Sequence, residues 1–352
     1  MAKTVTQPPP NAASRVDHYL RLHLESKIYN SVALNHLARS ITSFTLNGGK
    51  RIRPLMCCLG YRATTTAELS PAVERCAAAI ELFHAFALIH DDIIDKSDSR
   101  RGLPTLQHTL ADRHADRGID SHDGMSKAIL AGDMALIWAD ELFQHSGISD
   151  AQRTAAQPVW DALRAQVIAG QYLDVDATGR LDDDLDAAMR IIRYKTAKYT
   201  VEQPLLLGAS LAGASRTQAE TLSAFGLLLG EAFQLRDDLL GVFGTPEVTG
   251  KSRLDDLREG KRTPLIAVAL RDAPAEHRSR LLQLLGNPDL SEDDAAEVRH
   301  ILRSCGARES IENMINERRN MALVVVSRAE EFHAPSKESM RDLVDQLTHR
   351  SG

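Results

Sequence analysis

Apolar residues recur every three or four positions along most of the chain, which is the period of an amphipathic helix. This spacing predicts helices that begin near Val16, Val32 and Arg53, and helices that run through 72–95, 127–143, 150–172, 185–211, 217–240 and 262–270. Several further amphipathic helices are predicted between 293 and 349. Strand signals are scarce, because alanine and leucine dominate and aromatic residues make up only 5% of the chain. The pattern therefore predicts an all-α protein.

The middle helices are apolar on nearly every side, so we expect them to be buried inside a bundle. Composition does not shift along the chain and no short repeat is present, which predicts one all-α domain over residues 14–352. Residues 1–13 are polar and proline-rich, which predicts a disordered N-terminal tail.

Three loops stand out between the predicted helices. Residues 48–54 join two early helices, and residues 241–263 are rich in glycine, lysine and aspartate. Residues 106–126 are long and polar for a connection in a compact helical protein, so we expect them to act as a flexible cover.

The charge balance excludes several classes of partner. The 352 residues include 42 basic and 48 acidic ones, well mixed, with a net charge of −6. No basic tract indicates nucleic acid, and no apolar run approaches the length needed to cross a bilayer. The N-terminus lacks a signal-peptide pattern, and the four cysteines show neither metal-ligand spacing nor a secreted disulfide framework. We therefore expect a cytoplasmic protein with reduced thiols and no nucleic-acid partner.

The most informative stretch is an apolar run, 73–89, that ends in three carboxylates. In a helix, Asp91 and Asp95 lie on one face, about 40° apart, where their charges repel. Magnesium shared with substrate phosphates would balance this charge. Arg100 and Arg101 follow and supply planar donors for phosphate oxygens. The alternative is a solvated acidic helix end, which the preceding apolar run disfavours.

A second apolar segment, 230–241, also ends in paired aspartates, Asp237 and Asp238. Gln234 lies one turn before Asp237, close to the same helix face. If the two helices face each other, their carboxylates share one cavity. From this segment alone, two unrelated helix ends remain the alternative.

Basic residues decide between these interpretations. Lys50 and Arg53 lie beside a double glycine whose backbone can approach an anion closely. Other candidate cations lie in the middle of a predicted helix or beside Asp255 and Asp256; they are Lys195, Lys251 and Lys261. Aspartates surrounded by cations form the composition expected of a site that binds a diphosphate through magnesium.

Seven motifs follow one another along the chain. They are GGKRIRP at 48–54, ELFHAFALIHDDIIDKSDSRRGLPT at 81–105, AGD at 131–133, GQYLD at 170–174, KTA at 195–197, FQLRDDLLG at 233–241 and, within 250–263, DDLREGKRT. In this order and spacing the chain resembles the trans-isoprenyl diphosphate synthases, also called polyprenyl synthetases, over about residues 15–350.

The resemblance implies an isoprenoid-synthase-type bundle of long helices around a central cavity, assembled as a homodimer. It implies three magnesium ions per active site, with Asp91, Asp95 and Asp237 as the metal ligands. The implied reaction joins isopentenyl diphosphate to an allylic diphosphate. Magnesium and basic groups stabilise the leaving diphosphate, which then accepts the proton that is lost.

The resemblance also assigns the substrates to particular residues. The allylic diphosphate is assigned to Arg100, Lys195 and Lys261, with Lys251 nearby. Isopentenyl diphosphate is assigned to Lys50, Arg53, His84 and Arg101. The implied catalytic residues, which also contact substrate, are Lys195, Thr196 and Gln234, the last two placing neutral oxygens near the allylic cation. One departure is Gly241, where many members have a third aspartate; this weakens a metal role at that position, although we expect activity to survive.

Product length depends on residues that precede Asp91 on the same helix. Phe83, Phe86 and Ala87 are the candidates for a cavity floor, and their pattern resembles that of geranylgeranyl diphosphate synthases. We therefore expect a twenty-carbon product, with farnesyl diphosphate as the second choice. The alternative is that both phenylalanines only pack against neighbouring helices.

Two rival classes share part of this pattern. A class I terpene cyclase has a helical cavity and a first aspartate cluster, but it does not need a second diphosphate site. A non-catalytic subunit of a heteromeric prenyltransferase would be expected to lack some of these aspartates or lysines. A helical scaffold with incidental charge clusters is the third and least consistent alternative.

Overall fold

The computed structural model describes residues 12–111, 121–244 and 253–349. Its helices are α1 Ala12–Glu25, α2 Val32–Leu46, α3 Ile52–Thr64, α4 Pro71–Ile94, α5 Leu106–Ala111, α6 Ser121–Gln144, α7 Asp150–Ala177, α8 Leu185–Ile191, α9 Gln203–Leu211, α10 Arg216–Phe243, α11 Asp255–Glu259, α12 Pro264–Asp272, α13 Ala275–Leu284, α14 Glu292–Ser304, α15 Ala307–Arg328 and α16 Ala334–Thr348. The strands of the described residues are β1 Ser99–Arg100 and β2 Leu103–Pro104, which pair as one short antiparallel hairpin. The predicted all-α class is confirmed.

The long helices begin at residues that satisfy free backbone N–H groups. Ser70 caps α4, because its side chain accepts a hydrogen bond from the Val73 N–H. Ser149 and Ser215 begin α7 and α10 with complete capping boxes. These caps define the starts of α4 and α10, whose other ends carry the two aspartate clusters.

A π-helical segment, Ile192–Glu202, joins α8 to α9 and lies where three parts of the core meet. Tyr199 packs with α4, α6 and α7, whereas Ile192 packs with the apolar residues of α12 to α15. Val201 packs with α3, α9, α10 and α16. The helix predicted over 185–211 is therefore present, but its middle is widened from the α to the π form.

Three boundaries differ from the sequence-based expectations. The first helix begins at Ala12, which is buried, although the disordered tail was predicted to extend to residue 13; residues 1–11 lie outside the described residues. The polar loop predicted over 106–126 is partly wrong, because α5 occupies Leu106–Ala111 and packs Leu106 and Leu110 into the core. Within the loop predicted over 241–263, α11 forms one helical turn.

Across residues 12–111, 121–244 and 253–349, no helix combines the length and the apolar character that a membrane crossing requires.

Candidate active site

Lys195 and its neighbour Thr196 link three helices that carry polar motifs. The Lys195 Nζ lies 3.2 Å from Asp91 Oδ1 on α4 and 2.5 Å from Asp174 Oδ2 on α7. Thr196 Oγ1 donates to Gln234 Oε1 on α10 at 2.8 Å. Two adjacent residues of the π-helical segment therefore join the end of α4 to the end of α10. These are the two helix ends at which the sequence has its aspartate clusters.

Two glycines explain how this segment can lie so close to α7 and α10. A Cβ on Gly170 would lie 2.3 Å from the backbone nitrogen of Lys195, and a Cβ on Gly230 would lie 2.5 Å from the Cα of Ala197. Any larger side chain would push the helices apart. The glycines of the 170–174 and 230–241 segments therefore place Lys195 and Thr196 between the two helices.

Lys261 makes a second connection, from the segment after α11 to the first cluster. Its Nζ lies 2.8 Å from Glu259 Oε2, 3.3 Å from Asp95 Oδ2 and 3.6 Å from Asp256 Oδ1. Burial works against its charge, but the three carboxylates, Asp256 first, hold its pKa well above the usual value. Lys261 is therefore cationic in the folded protein. Lys251, the other lysine predicted here, lies outside the described residues.

The first aspartate cluster is charge-balanced by basic side chains. Arg100, in the hairpin, donates from Nε to Asp92 Oδ1 at 2.6 Å and from Nη2 to Asp91 Oδ2 at 3.2 Å. Burial acts to raise the pKa of Asp91, but Lys195 and then Arg100 lower it to about 2. Burial, followed by the charge of Asp91, raises the pKa of Asp95. One carboxylate of the predicted metal pair is thus firmly ionised, and its neighbour holds its proton more readily.

The second aspartate cluster lies beside an amide and further carboxylates, with Lys261 the cation that acts on Asp238. Gln234 donates from Nε2 to Asp238 Oδ1 at 2.7 Å, while Asp238 Oδ2 is buried and forms no hydrogen bond with any described residue. Burial, reinforced by Asp256 and Asp237, raises the pKa of Asp238 to about 8 despite the hydrogen bond from Gln234. Asp237 is half-buried one residue earlier. The charge of Lys261 offsets these influences on Asp238 only in part.

The residues predicted to bind isopentenyl diphosphate lie beside the double glycine. The hairpin turns through Arg101 and Gly102, both with positive φ (54° and 75°), as a two-residue hairpin turn requires. The turn directs the Arg101 side chain towards the loop after α2, where its Nη1 donates to the carbonyl of Asn47 at 2.7 Å. A Cβ on Gly49 would lie 3.0 Å from Arg101 Nη2. Lys50 is exposed in the same loop.

Arg53 and His84 are connected through an aromatic ring. The guanidinium of Arg53 lies 4.4 Å from the ring centroid of Tyr199 and donates from Nη2 to Thr200 Oγ1 at 2.8 Å. The hydroxyl of Tyr199 lies 3.3 Å from His84 Nδ1. Burial, followed by the charges of Arg53 and Arg101, lowers the pKa of His84 well below its usual value. His84 is therefore neutral and can exchange a hydrogen bond without adding charge.

Several polar residues of this region were not predicted. Arg51 is buried and donates to Asp17 Oδ1 and Glu81 Oε1, both at 2.7 Å, so it joins α1 to α4. Asp174 and Glu259 are the carboxylate partners of Lys195 and Lys261. A buried acid within an apolar run was the available signal for Glu81; the other contacts depend on the tertiary fold.

The aspartate carboxylates suit a magnesium ion that shares its ligands with substrate, and not a metal ion bound by protein side chains alone. Within the residues that the structure describes, no three His, Cys, Asp or Glu side chains form a ready metal cage. Magnesium usually takes one or two carboxylates and completes its shell with water and substrate phosphates. Oxygens of this kind are offered by Asp91 and Asp95 at the end of α4, and by Asp238 Oδ2 near the end of α10.

The predicted cavity-floor residues differ in exposure. Phe83 has no exposed surface, and its ring centroid lies 5.1 Å from that of Phe86, 5.8 Å from Tyr199 and 6.1 Å from Trp160. Phe86 and Ala87, one turn closer to the aspartates, keep part of their surface exposed. Phe83 therefore lies behind Phe86 in the packed core.

Comparison with known proteins identifies the class. The sequence profile of the polyprenyl synthetase family matches residues 34–302. A geranylfarnesyl diphosphate synthase from Aeropyrum pernix is 32% identical over 95% of this chain and 99% of its own. A geranylgeranyl diphosphate synthase from Saccharolobus solfataricus is 31% identical, over 79% of this chain and 80% of its own.

Solved structures agree with this assignment. A geranylgeranyl pyrophosphate synthase from Corynebacterium glutamicum, complexed with isoprenyl diphosphate and magnesium, superposes with a TM-score of 0.93 at 36% identity and covers 98% of this chain and 100% of its own. The chain belongs to the polyprenyl synthetase family. It is a trans-prenyltransferase that elongates isoprenyl chains, which confirms the predicted family, fold and enzyme class.

Proposed function

We propose that the protein condenses isopentenyl diphosphate with allylic diphosphates in a magnesium-dependent reaction and releases geranylgeranyl diphosphate, with farnesyl diphosphate as the second choice. The observation that supports this most directly is the pair of lysine contacts to the first cluster. Lys195 and Lys261 approach Asp91 and Asp95 from two different segments, at 3.2 Å and 3.3 Å. Cations and carboxylates so interleaved suit a magnesium-bound diphosphate.

Three magnesium ions would be held by Asp91, Asp95 and Asp237, and when bound they would stabilise the charge of the leaving diphosphate. Lys195, Lys261 and Arg100 bind its oxygens directly, with Lys251 nearby. Because Asp91, Asp95 and Asp92 already pair with these cations, the cations are oriented before substrate arrives.

Thr196 and Gln234 act at the allylic carbon. The Thr196 hydroxyl donates to Gln234 Oε1, so its own lone pairs stay available to a developing carbocation. Gln234 is in turn fixed by donation to Asp238. No side chain of this group is placed as a dedicated base, and the departing diphosphate accepts the proton.

Isopentenyl diphosphate binds to Lys50, Arg53, His84 and Arg101. Arg53 stacks on Tyr199 and Arg101 is tethered at Asn47, so both guanidinium groups are oriented in advance. Neutral His84 contributes a hydrogen bond. Two separate groups of cations then hold the two diphosphates apart, with the reacting carbons between them.

The product grows along α4, away from Asp91 and towards Phe86 and Ala87. The partly exposed ring of Phe86 forms the floor, and Phe83 supports it from behind through ring contact at 5.1 Å. Small Ala87 leaves space beneath the carboxylates, which suits a product longer than farnesyl.

A homodimer is supported by apolar side chains left on the outer faces of two long helices. Leu130 and Ile137 on α6, and Ile168 and Tyr172 on α7, are each more than half exposed. Sedimentation of the wild type and of Ile137→Glu tests this: a dimer that the substitution converts to monomer supports it, and a monomeric wild type contradicts it. Exposed Val324 on α15 gives the matched control, Val324→Glu.

The experiment for the activity uses isopentenyl diphosphate with dimethylallyl, geranyl or farnesyl diphosphate. We expect a twenty-carbon alcohol after dephosphorylation with each primer, and no product in excess chelator. A cyclic hydrocarbon, or no product from any primer with magnesium present, would contradict the proposal. The cytoplasmic location stays a prediction.

A further inference from the structure

Arg51 stands between Lys50 and Arg53, two of the residues proposed to bind isopentenyl diphosphate, and its backbone is left-handed. Its φ is 50° and its ψ is 35°, a conformation that is uncommon in residues other than glycine, asparagine and aspartate. Arg51 immediately precedes α3, and its carbonyl accepts a hydrogen bond from the Leu55 N–H at 3.0 Å. This conformation therefore sets the direction in which α3 leaves the loop, and with it the place of Arg53.

The side chain of Arg51 points inwards and is anchored to three helices. Its Nε donates to Asp17 Oδ1 on α1, and its Nη1 donates to Glu81 Oε1 on α4, both at 2.7 Å. The same Nη1 donates to the carbonyl of Thr45 on α2 at 3.3 Å. The side chains of Arg51 and Glu81 are only 7% and 5% exposed. Because breaking such a buried ion pair would leave a charge without a partner, the guanidinium keeps one orientation.

The anchored guanidinium lies beside the loop that carries the proposed substrate cations. A Cβ on Gly49 would lie 3.2 Å from Arg51 Nη1 and 3.0 Å from Arg101 Nη2, so both arginines approach the same glycine. Burial lowers the pKa of Arg101, Glu81 opposes this effect, and the charge of Arg51 adds to it. Glu81 therefore contributes negative charge that helps two arginines to lie beside one glycine.

We propose that Arg51 is a positioning residue for isopentenyl diphosphate. Its ion pairs with Asp17 and Glu81 keep the loop before α3 in the left-handed conformation that directs the two neighbouring cations to the diphosphate. Arg51 acts through these neighbours, since its side chain is almost fully buried and its Nε and Nη1 are already paired. The first helix thereby contributes to a substrate site. This inference rests on the proposed function.

The alternative is that these ion pairs only hold α1 against α4 and stabilise the fold. A comparable pair joins the same two helices, because Arg15 Nε lies 2.6 Å from Glu74 Oε1, whose side chain is 2% exposed. Arg15→Met removes this pair and leaves the contacts of Arg51 in place. It is therefore the matched control for Arg51→Met, which removes the charge but keeps a long side chain.

The experiment measures kcat, KM for each substrate and the thermal midpoint of the wild type and both variants. We expect Arg51→Met to raise KM for isopentenyl diphosphate roughly 10- to 100-fold, because the loop before α3 is misplaced. The kcat and KM for the allylic substrate should change little. Arg15→Met should lower the thermal midpoint and leave both KM values unchanged. Arg51→Lys should recover only part of the loss, since one ammonium cannot reproduce the paired geometry of a guanidinium.

Three outcomes would overturn the proposal. They are unchanged KM values in Arg51→Met, an equal rise in KM for both substrates, and the same selective rise in Arg15→Met, which indicates that packing of α1 on α4 is sufficient.

If Arg51→Met does not fold, Asp17→Asn and Glu81→Gln decide the question, because each removes one charge and keeps an oxygen acceptor. A smaller rise in KM for isopentenyl diphosphate alone supports the proposal, and no selective rise in either variant contradicts it. A wild type that forms prenyl products, while the variants show no selective rise, would remove only this inference; a wild type without products would remove the proposed function.

Discussion

The first aspartate cluster, at the end of α4, faces Arg100, Lys195 and Lys261, whereas the second, at the end of α10, faces an amide and another carboxylate. The pKa of Asp91 falls to about 2, while that of Asp238 rises to about 8. Two helix ends with the same sequence pattern thus reach opposite electrostatic states. Basic side chains contact the first cluster directly, whereas the charge of Lys261 offsets the burial and repulsion at Asp238 only in part.

The strongest test removes carboxylates from each cluster. Asp91→Ala or Asp95→Ala should lower turnover by roughly 10²–10³ or more, because the charge of the leaving diphosphate is no longer stabilised. Asp237→Ala should also cost heavily. Steady-state kinetics with a magnesium titration measures this. The control is Asp98→Ala, because the side chain of Asp98 is 93% exposed. An Asp91→Ala enzyme with full turnover would refute the assignment.

The next test separates the basic residues around the clusters. Lys195→Ala or Lys261→Ala should mainly weaken the allylic substrate, and Arg53→Ala or Arg101→Ala should mainly weaken isopentenyl diphosphate. Each loses one charge-assisted contact, which costs about 1.5–3 kcal/mol, or roughly ten- to a hundredfold in binding.

Kinetics with each substrate varied in turn distinguishes the two groups. Exposed Arg180, paired with Asp176 on the surface, provides the control variant Arg180→Ala. Equal effects of all four substitutions on both substrates would mean that the protein has no separate diphosphate sites.

In the metal-free protein, the contributions of the two clusters to the free energy of unfolding should depend on pH in opposite directions. Asp238 keeps its proton when folded but releases it near pH 4 when unfolded, so its contribution to stability is lost as pH rises from about 4 to about 8. The pKa of Asp91 is lower in the folded protein than in the unfolded chain, so its contribution to stability is lost as pH falls from about 4 to about 2.

Urea midpoints measured across this range test both statements. Asp238→Asn should flatten the decline in the free energy of unfolding between about pH 4 and about pH 8, which is on the order of 2–5 kcal/mol, and Asp91→Asn should flatten the loss below about pH 4. If Asp238→Asn leaves the decline above about pH 4 unchanged, another group causes it.

The smallest expected effect is a change in product size with little change in rate. Phe86→Ala should lengthen the product and Ala87→Phe should shorten it, because these side chains form the proposed floor against which the growing chain stops. Phe233 occupies a comparable place before Asp237 but is buried in the core, so Phe233→Leu should leave the length unchanged. Chromatography of the dephosphorylated alcohols gives the answer, and unchanged lengths in both α4 variants would place the floor elsewhere.

The parts predicted from sequence are those that depend on local pattern. The apolar runs before Asp91 and Asp237 predict α4 and α10 and the ends at which their aspartates lie. Lys195 and Thr196 were placed within a helix, and they are. The polar stretch around Leu106 and Leu110 predicts a loop instead of α5, since two leucines in six residues carry too little periodicity to indicate a helix.

The parts that were not predicted depend on contacts between distant segments. The π-helical segment around Lys195 lies against Gly170 and Gly230, which are 25 and 35 residues away in sequence. The approach of the Asp256 carboxylate to Gly241 requires the path of the intervening chain. Neither relation leaves a periodic trace in the sequence.

The π-helical segment has a consequence for how the chain tolerates changes of length. Each residue of an α-helix advances the side chains by about 100°, and the wider turn of a π-helix changes that phase. The segment is held in its middle, by Gly230 against Ala197, and at its last residue, by Gly226 against Glu202. A residue gained or lost between Ile192 and Glu202 would therefore rotate Lys195 and Thr196 relative to the helices they join. Surface loops absorb such insertions, whereas here the number of residues itself sets the direction in which the proposed catalytic side chains point.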